Sequence, residues 1–118
     1  MIMSALREEG SFIFSIEHPI FTAEGSQNWV KTEDGKIVWP VDTYFKDGER
    51  QSEFLGHTIT KIHRSLTTLI KLLKDAGFIL DNIVEPTPEL KYLESMPDEW
   101  RRPMMIIFVC RKHVAKYS

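Results

Sequence analysis

Cysteine is nearly missing from this chain, glycine never clusters, and no long apolar run occurs. The lone Cys110 rules out an internal disulfide and a cysteine metal cluster. The six glycines (Gly10, Gly25, Gly35, Gly48, Gly56 and Gly77) lie at least eight positions apart. No glycine-rich turn is therefore present to cradle a phosphate or dinucleotide on its backbone amides. A bilayer span needs about 18 or more consecutive apolar residues, and none is found. Residues 1–10 are too short and polar for a signal peptide, so the expected location is cytoplasmic. Charge of one sign is also lacking: 15 Lys and Arg against 17 Asp and Glu leave a net charge of −2. That balance gives no electrostatic reason to expect nucleic acid or an anionic membrane as partner. The basic clusters RRP and RKH are too short for a nucleic-acid footprint. No serine sits in a G-x-S-x-G context, and His18, His57, His63 and His113 have no short metal-ligand spacing.

What is present is an ordinary globular composition. At 118 residues with 42% hydrophobic side chains, the chain is long enough for one domain with its own core. The most legible stretch is residues 62–88, IHRSLTTLIKLLKDAGFILDNIVEPTP. Ser65 can cap a helix by accepting a bond from a first-turn amide. Leu66, Leu69, Ile70, Leu73 and Ala76 follow at i, i+3, i+4, i+7 and i+10, one apolar stripe at helical period. Gly77 stops the helix, since glycine readily takes the left-handed conformation that closes one. FILDNIV then reads as a strand, and Pro86 and Pro88 end it.

The remainder divides around this element. Residues 1–20 read as the last turns of a helix closed by Gly10, then a strand, SFIFSI, apolar at nearly every position and expected to be covered on both faces. Glu17, His18 and Pro19 break that strand. Residues 21–61 read as a hairpin cap: WVKTE and KIVW flank Asp34-Gly35, a pair suited to a type I′ turn. Asp47-Gly48 repeats the turn signal, and the stretch after it is expected to return across the hairpin as one longer strand. Trp29, Trp39, Tyr44, Phe45 and Phe54 all fall in this cap, either as core or as the lining of a ligand crevice. Residues 89–118 read as a connecting excursion with one helical turn near Leu90 and Leu93, then a last strand, MMIIFV, at 104–109.

Three of these pieces, in order, carry a resemblance. LREEGSFIFSIEHPIF, then HRSL with LLKDAGF and a strand ending in EPTP, then RRPMMIIFVCRK, resemble the C-terminal half of class I S-adenosylmethionine-dependent methyltransferases of the methyltransferase-11 type. The resemblance implies an α/β fold, α+β as it stands: a mixed three-stranded remnant of a Rossmann-like sheet, with an inserted β-hairpin cap and one main helix. It implies that strands 12–16, 78–84 and 104–109 are the fifth, sixth and seventh of the family sheet, in spatial order five, seven, six, with the seventh antiparallel. The family's glycine-rich cofactor loop has no counterpart here. S-adenosylmethionine is thus expected in the complete family enzyme and not on this chain alone, and the methyl acceptor is expected to be a small molecule.

Polar residues just past the C-terminal end of a parallel strand sit where open α/β sheets bind ligands. That places Glu17 and His18 among the candidates; the resemblance implies that the EHP turn and the His63-Arg64 pair at the mouth of the main helix border the substrate side, with Tyr44 in the overlying cap. His18 and His63 are the side chains able to take a proton near neutral pH. Glu17, Tyr44 and Arg64 are candidates for holding substrate, Arg64 through a carboxylate or phosphate. The strand at 12–16 would have no fourth-strand partner, so its apolar edge is expected to drive self-association. Two further readings stay open: a free-standing dimeric α+β binding domain without catalysis, and one half of a split enzyme.

Overall fold

The computed structural model describes residues 11–112. The helix end expected within residues 1–10, and His113, lie outside them. The elements run β1 (Ser11–Glu17), α1 (Pro19–Thr22), β2 (Val30–Lys31), β3 (Ile37–Val38), β4 (Gly48–Phe54), β5 (His57–His63), α2 (Leu66–Asp75), β6 (Phe78–Val84), α3 (Leu90–Leu93), a 3-10 turn (Pro97–Arg101) and β7 (Met105–Lys112). No described helix is long and apolar enough to cross a membrane.

The main sheet has the order β1-β7-β6, with β7 antiparallel to both neighbours. This is the five, seven, six arrangement with a reversed last strand. The register explains how one face becomes the core. Phe12, Phe14 and Ile16 stand opposite Cys110, Phe108 and Ile106, so six apolar side chains share a face. Phe14 stacks on Phe108 at 5.2 Å and Phe12 on Phe78 at 5.4 Å. The helix α2 closes that face with Leu66, Leu69, Ile70, Leu73 and Ala76, the stripe read from the sequence.

Ser65 caps α2, its Oγ accepting from Thr68 N, and Gly77 follows the helix at φ +92°. In β6 the pairing shifts between Leu80 and Asn82. A bulge there skips one residue and keeps Ile83 packed against the same core as Phe78 and Leu80. Cys110 is fully enclosed; burial pushes its thiol upward, helped by the Asp81 carboxylate, which suits an inert core side chain.

Three local expectations are corrected. The strand β1 is covered on one face only: Ser11, Ile13 and Ser15 are exposed, Ile13 by 64%, because α2 is the single described helix packed on this sheet. The Asp34-Gly35 turn is not type I′. Only Gly35 has positive φ, Thr32 N donates to Lys36 O, and Gly35 N donates to Thr32 O, a three-residue loop with glycine in the left-handed position. The stretch after Gly48 is not one returning strand but a hairpin of its own. Phe54 pairs with His57, and Leu55 and Gly56 both take positive φ, 51° and 79°, so the two-residue I′ geometry lies here. Between β1 and the first hairpin the chain makes the single turn of α1, which begins at Pro19.

Arg50 fastens this second hairpin to the body. Its Nε donates to Ala23 O at 2.6 Å, and its Nη2 donates to Lys46 O at 2.7 Å and Thr43 O at 3.0 Å. One guanidinium thus satisfies carbonyls from two loops that have no ladder of their own.

Candidate functional site

The strands β1 and β6 run parallel on either side of β7, so both C-terminal ends open on the same edge of the sheet. Glu17 and His18 end the first, and Glu85 follows the second. The His18 backbone N–H donates to Met104 O at 2.8 Å, fixing the turn out of β1. The His18 side chain is the N-cap of α1: Nδ1 accepts from Ile20 N at 3.0 Å. With that lone pair occupied, Nε2 carries the ring proton and donates to Glu85 Oε2 at 2.5 Å. His18 therefore ties together the ends of two strands, with only 4% of its surface exposed.

His63 lies at the end of β5 and is completely enclosed. Its Nε2 is 2.8 Å from Tyr44 O and its Nδ1 is 2.7 Å from Thr22 Oγ1. A carbonyl can only accept, so Nε2 donates and Nδ1 receives the Thr22 hydroxyl. The Tyr44 ring meets the imidazole edge-on at 5.6 Å, and Tyr44 Oη accepts from Leu66 N at 3.1 Å. Asp47 completes the entrance to α2. Its Oδ1 accepts from Ser65 N and its Oδ2 from Thr68 Oγ1, and the Thr68 bond, followed by that from Ser65, holds its carboxyl below the usual range. The helix N-terminus is thus occupied by groups of this chain.

In front of this network is an open cleft of about 360 Å³, lined by Ile16, Glu17, Thr22, Lys61, Ile62, Arg64 and Leu69. Glu17 Oε2 accepts from Lys61 Nζ at 2.9 Å, and the same ammonium donates to Gln27 Oε1 at 2.9 Å. Gln27 adopts φ +59°, uncommon for a residue with a side chain, and its Nε2 is buried without a hydrogen-bond partner. Of the sequence candidates, Glu17 and Arg64 meet in this cleft. His63 and Tyr44 stand behind its wall, and His18 faces Glu85 instead.

The other prominent cluster is aromatic. Arg102 packs its guanidinium 4.3 Å from the Trp39 ring, 5.0 Å from Phe21 and 5.4 Å from Trp29, and donates to both oxygens of Glu99. Arg101 lies 4.8 Å over Trp29 and donates to Ile37 O at 2.7 Å. Two consecutive arginines thereby pin the β2–β3 hairpin to the segment before β7. Phe45 and Phe54, by contrast, are 88% and 61% exposed.

Lys61, Thr22 and Gln27 were not singled out by sequence reasoning. Lys61 could have been found as the charge that shares the inward face of the HTITKIH strand with Ile59 and His63. Thr22 and Gln27 carry no sequence signal. Among the described residues no three of His, Cys, Asp and Glu come together to hold a metal.

No family model matches the chain. A crystal structure of a candidate S-adenosylmethionine-dependent methyltransferase from Listeria monocytogenes superimposes with TM-score 0.84 at 44% identity, over 96% of this chain and 52% of that one. An S-adenosylmethionine-dependent methyltransferase from Mesorhizobium loti gives TM-score 0.74 at 30% identity, over 92% of this chain and 51% of that one. An uncharacterized protein of Haemophilus influenzae is 26% identical over 115 residues, 94% of this chain and 45% of that protein. The chain spans about half the length of each relative it matches.

Proposed function

We propose that this chain, which has the fold of the C-terminal half of a class I S-adenosylmethionine-dependent methyltransferase, supplies the acceptor-side wall of a methyl-transfer site. The observation that carries this is the cleft at the C-terminal end of β1, where Glu17 and Lys61 form an ion pair with side chains 30% and 27% exposed. Ligands of open α/β sheets bind outside the carboxyl ends of their strands, and a half-exposed pair there has polar atoms facing the space a ligand would fill. Lys61 fixes one oxygen of Glu17. The other can accept the O–H or N–H of a bound acceptor and orient its nucleophilic atom. Arg64 adds donors around it.

The described residues do not fit S-adenosylmethionine itself. Gly25, Gly35, Gly48, Gly56 and Gly77 all have positive φ, but each lies in a separate turn. The parallel strands β1 and β6 are followed by His18-Pro19 and Glu85-Pro86 rather than by a glycine turn, so no backbone cradle forms at their ends. The cofactor belongs to the complete enzyme in this reading, and this chain contributes the acceptor side.

A chimera in which this chain replaces the matching half of the Listeria protein tests the proposal, with tritium from methyl-labelled cofactor followed into a panel of small molecules. Transfer is expected, and Glu17→Gln should reduce it roughly 10- to 100-fold, the worth of a hydrogen bond to a charged group. Cofactor affinity should be unchanged. An undiminished rate in the Glu17→Gln chimera contradicts the assignment.

Among the described residues the outer edge of β1 has no partner strand, which supports self-association of the isolated chain. The β6 edge carries a bulge and Asp81, features that deter strand addition, whereas residues 12–16 have no charge, proline or bulge. A dimer in light scattering is the expected result, and a monomer at high micromolar concentration would remove this element. A non-catalytic dimeric binding domain is the reading favoured if the edge pairs while the chimera stays inactive.

A further inference from the structure

We infer that the molecule bound in the Glu17–Lys61 cleft carries an anionic group, a carboxylate or a phosphate, next to an apolar body; this rests on the cleft being the acceptor site. Lys61 and Arg64 against Glu17 leave the lining one positive charge in excess. Glu17 is already matched by Lys61 at 2.9 Å, so Arg64 is the charge without a counterpart in the cleft. Asp47, whose carboxyl feels Arg64, has both oxygens engaged in capping α2.

Donors also outnumber acceptors. The Lys61 ammonium has three N–H groups, and two are used on Glu17 and Gln27. Arg64 brings five more in a planar fork matched to carboxylate or phosphate, and no described residue accepts from it among the side-chain hydrogen bonds. The Gln27 amide, held at an unfavourable backbone angle with its Nε2 unpaired, keeps Lys61 directed rather than free to swing into water. Ile16, Ile62 and Leu69 complete the lining and suit an apolar body of a few carbons. A neutral or cationic ligand would leave the guanidinium unmatched on entering.

Backbone-amide NMR of the whole chain, titrated separately with benzoate, benzyl alcohol and benzylamine, tests this. Benzoate should shift the amides of Glu17, Thr22, Lys61, Ile62 and Leu69, and bind more weakly as salt is raised. Arg64→Met should weaken benzoate about tenfold; Arg64 is exposed, so the fold survives its loss. Lys61→Met should weaken it comparably. Benzyl alcohol or benzylamine binding in the cleft as tightly as benzoate, or Arg64→Met leaving benzoate unaffected, overturns the anionic preference while the cleft remains the acceptor site. Absence of benzoate shifts at the cleft up to the solubility limit also overturns it. The acceptor-site reading fails separately, through the Glu17→Gln chimera.

Discussion

Replacing His63 with Ala should cost about 3–5 kcal/mol of folding stability, read as a lowered midpoint in urea with unchanged slope. The imidazole is fully enclosed, so its removal leaves a cavity for which large-to-small changes cost roughly 2 kcal/mol or more. It also strands the Tyr44 carbonyl, bonded to it at 2.8 Å, at roughly 1–3 kcal/mol for a group left unpaired, and leaves the Thr22 hydroxyl, 2.7 Å from the ring, with only the longer bond to Pro19 O at 3.4 Å. Partial collapse and water entry keep the total below the sum. Domains are stable by only about 5–15 kcal/mol, so this single change removes a large share. The same substitution in the Listeria chimera separates the roles of His63: as a positioning residue behind the cleft it lowers transfer only in step with the folded fraction, whereas a proton acceptor would also lose transfer from the protein that remains folded.

Arg102→Met should destabilise the fold by about 2–3 kcal/mol and move tryptophan emission to longer wavelength. The Arg102 side chain is 7% exposed and its partner Glu99 25%. Removing one member of a buried pair costs roughly 3–5 kcal/mol, tempered here because Glu99 can reach water. Contacts to three aromatic faces contribute about 0.5–1 kcal/mol each when partly solvated, but the Met side chain keeps part of that packing and Glu99 regains water, so the total stays well below the sum. With the guanidinium gone, Trp29 and Trp39 lose the group that stacks the hairpin on the body, and water reaches their rings. Arg102→Lys should recover little, because an ammonium can neither bridge both Glu99 oxygens nor stack flat. An Arg102→Met protein with native emission and midpoint would show that the hairpin is held by other contacts.

The sequence and the structure agree best where one side chain determines its own surroundings. Ser65, the stripe from Leu66 to Ala76 and Gly77 specify α2 by local rules, and the structure keeps each of them. Strand existence at 12–16, 78–84 and 104–109 was equally legible, and the resemblance supplied their order. What failed depended on partners distant in sequence. The I′ turn forms at Leu55-Gly56, where leucine takes positive φ because the paired strands β4 and β5 impose it; Asp34-Gly35 had the better local signal and took a longer loop. The apolar run SFIFSI gave no sign that its Ile13 face would stand in solvent. Within the site, Glu17 and Arg64 were visible from their positions at element ends. Lys61 was not, because its meaning comes from an ion pair spanning 44 residues. His18 and His63 were legible as candidate proton acceptors, but the hydrogen bonds that engage both ring nitrogens of each were not, because their partners lie elsewhere in the chain. Arg102 read as part of a minor basic cluster, since nothing near it in sequence announces Trp29, Trp39 and Phe21.

Isothermal titration of S-adenosylmethionine and S-adenosylhomocysteine into the purified chain tests the central claim most directly. A folded chain that forms the acceptor side without a cofactor cradle should give no binding heat. Binding tighter than about 100 μM, roughly 5.5 kcal/mol, would mean that these residues build a cofactor site without a glycine-rich turn, and would contradict the account.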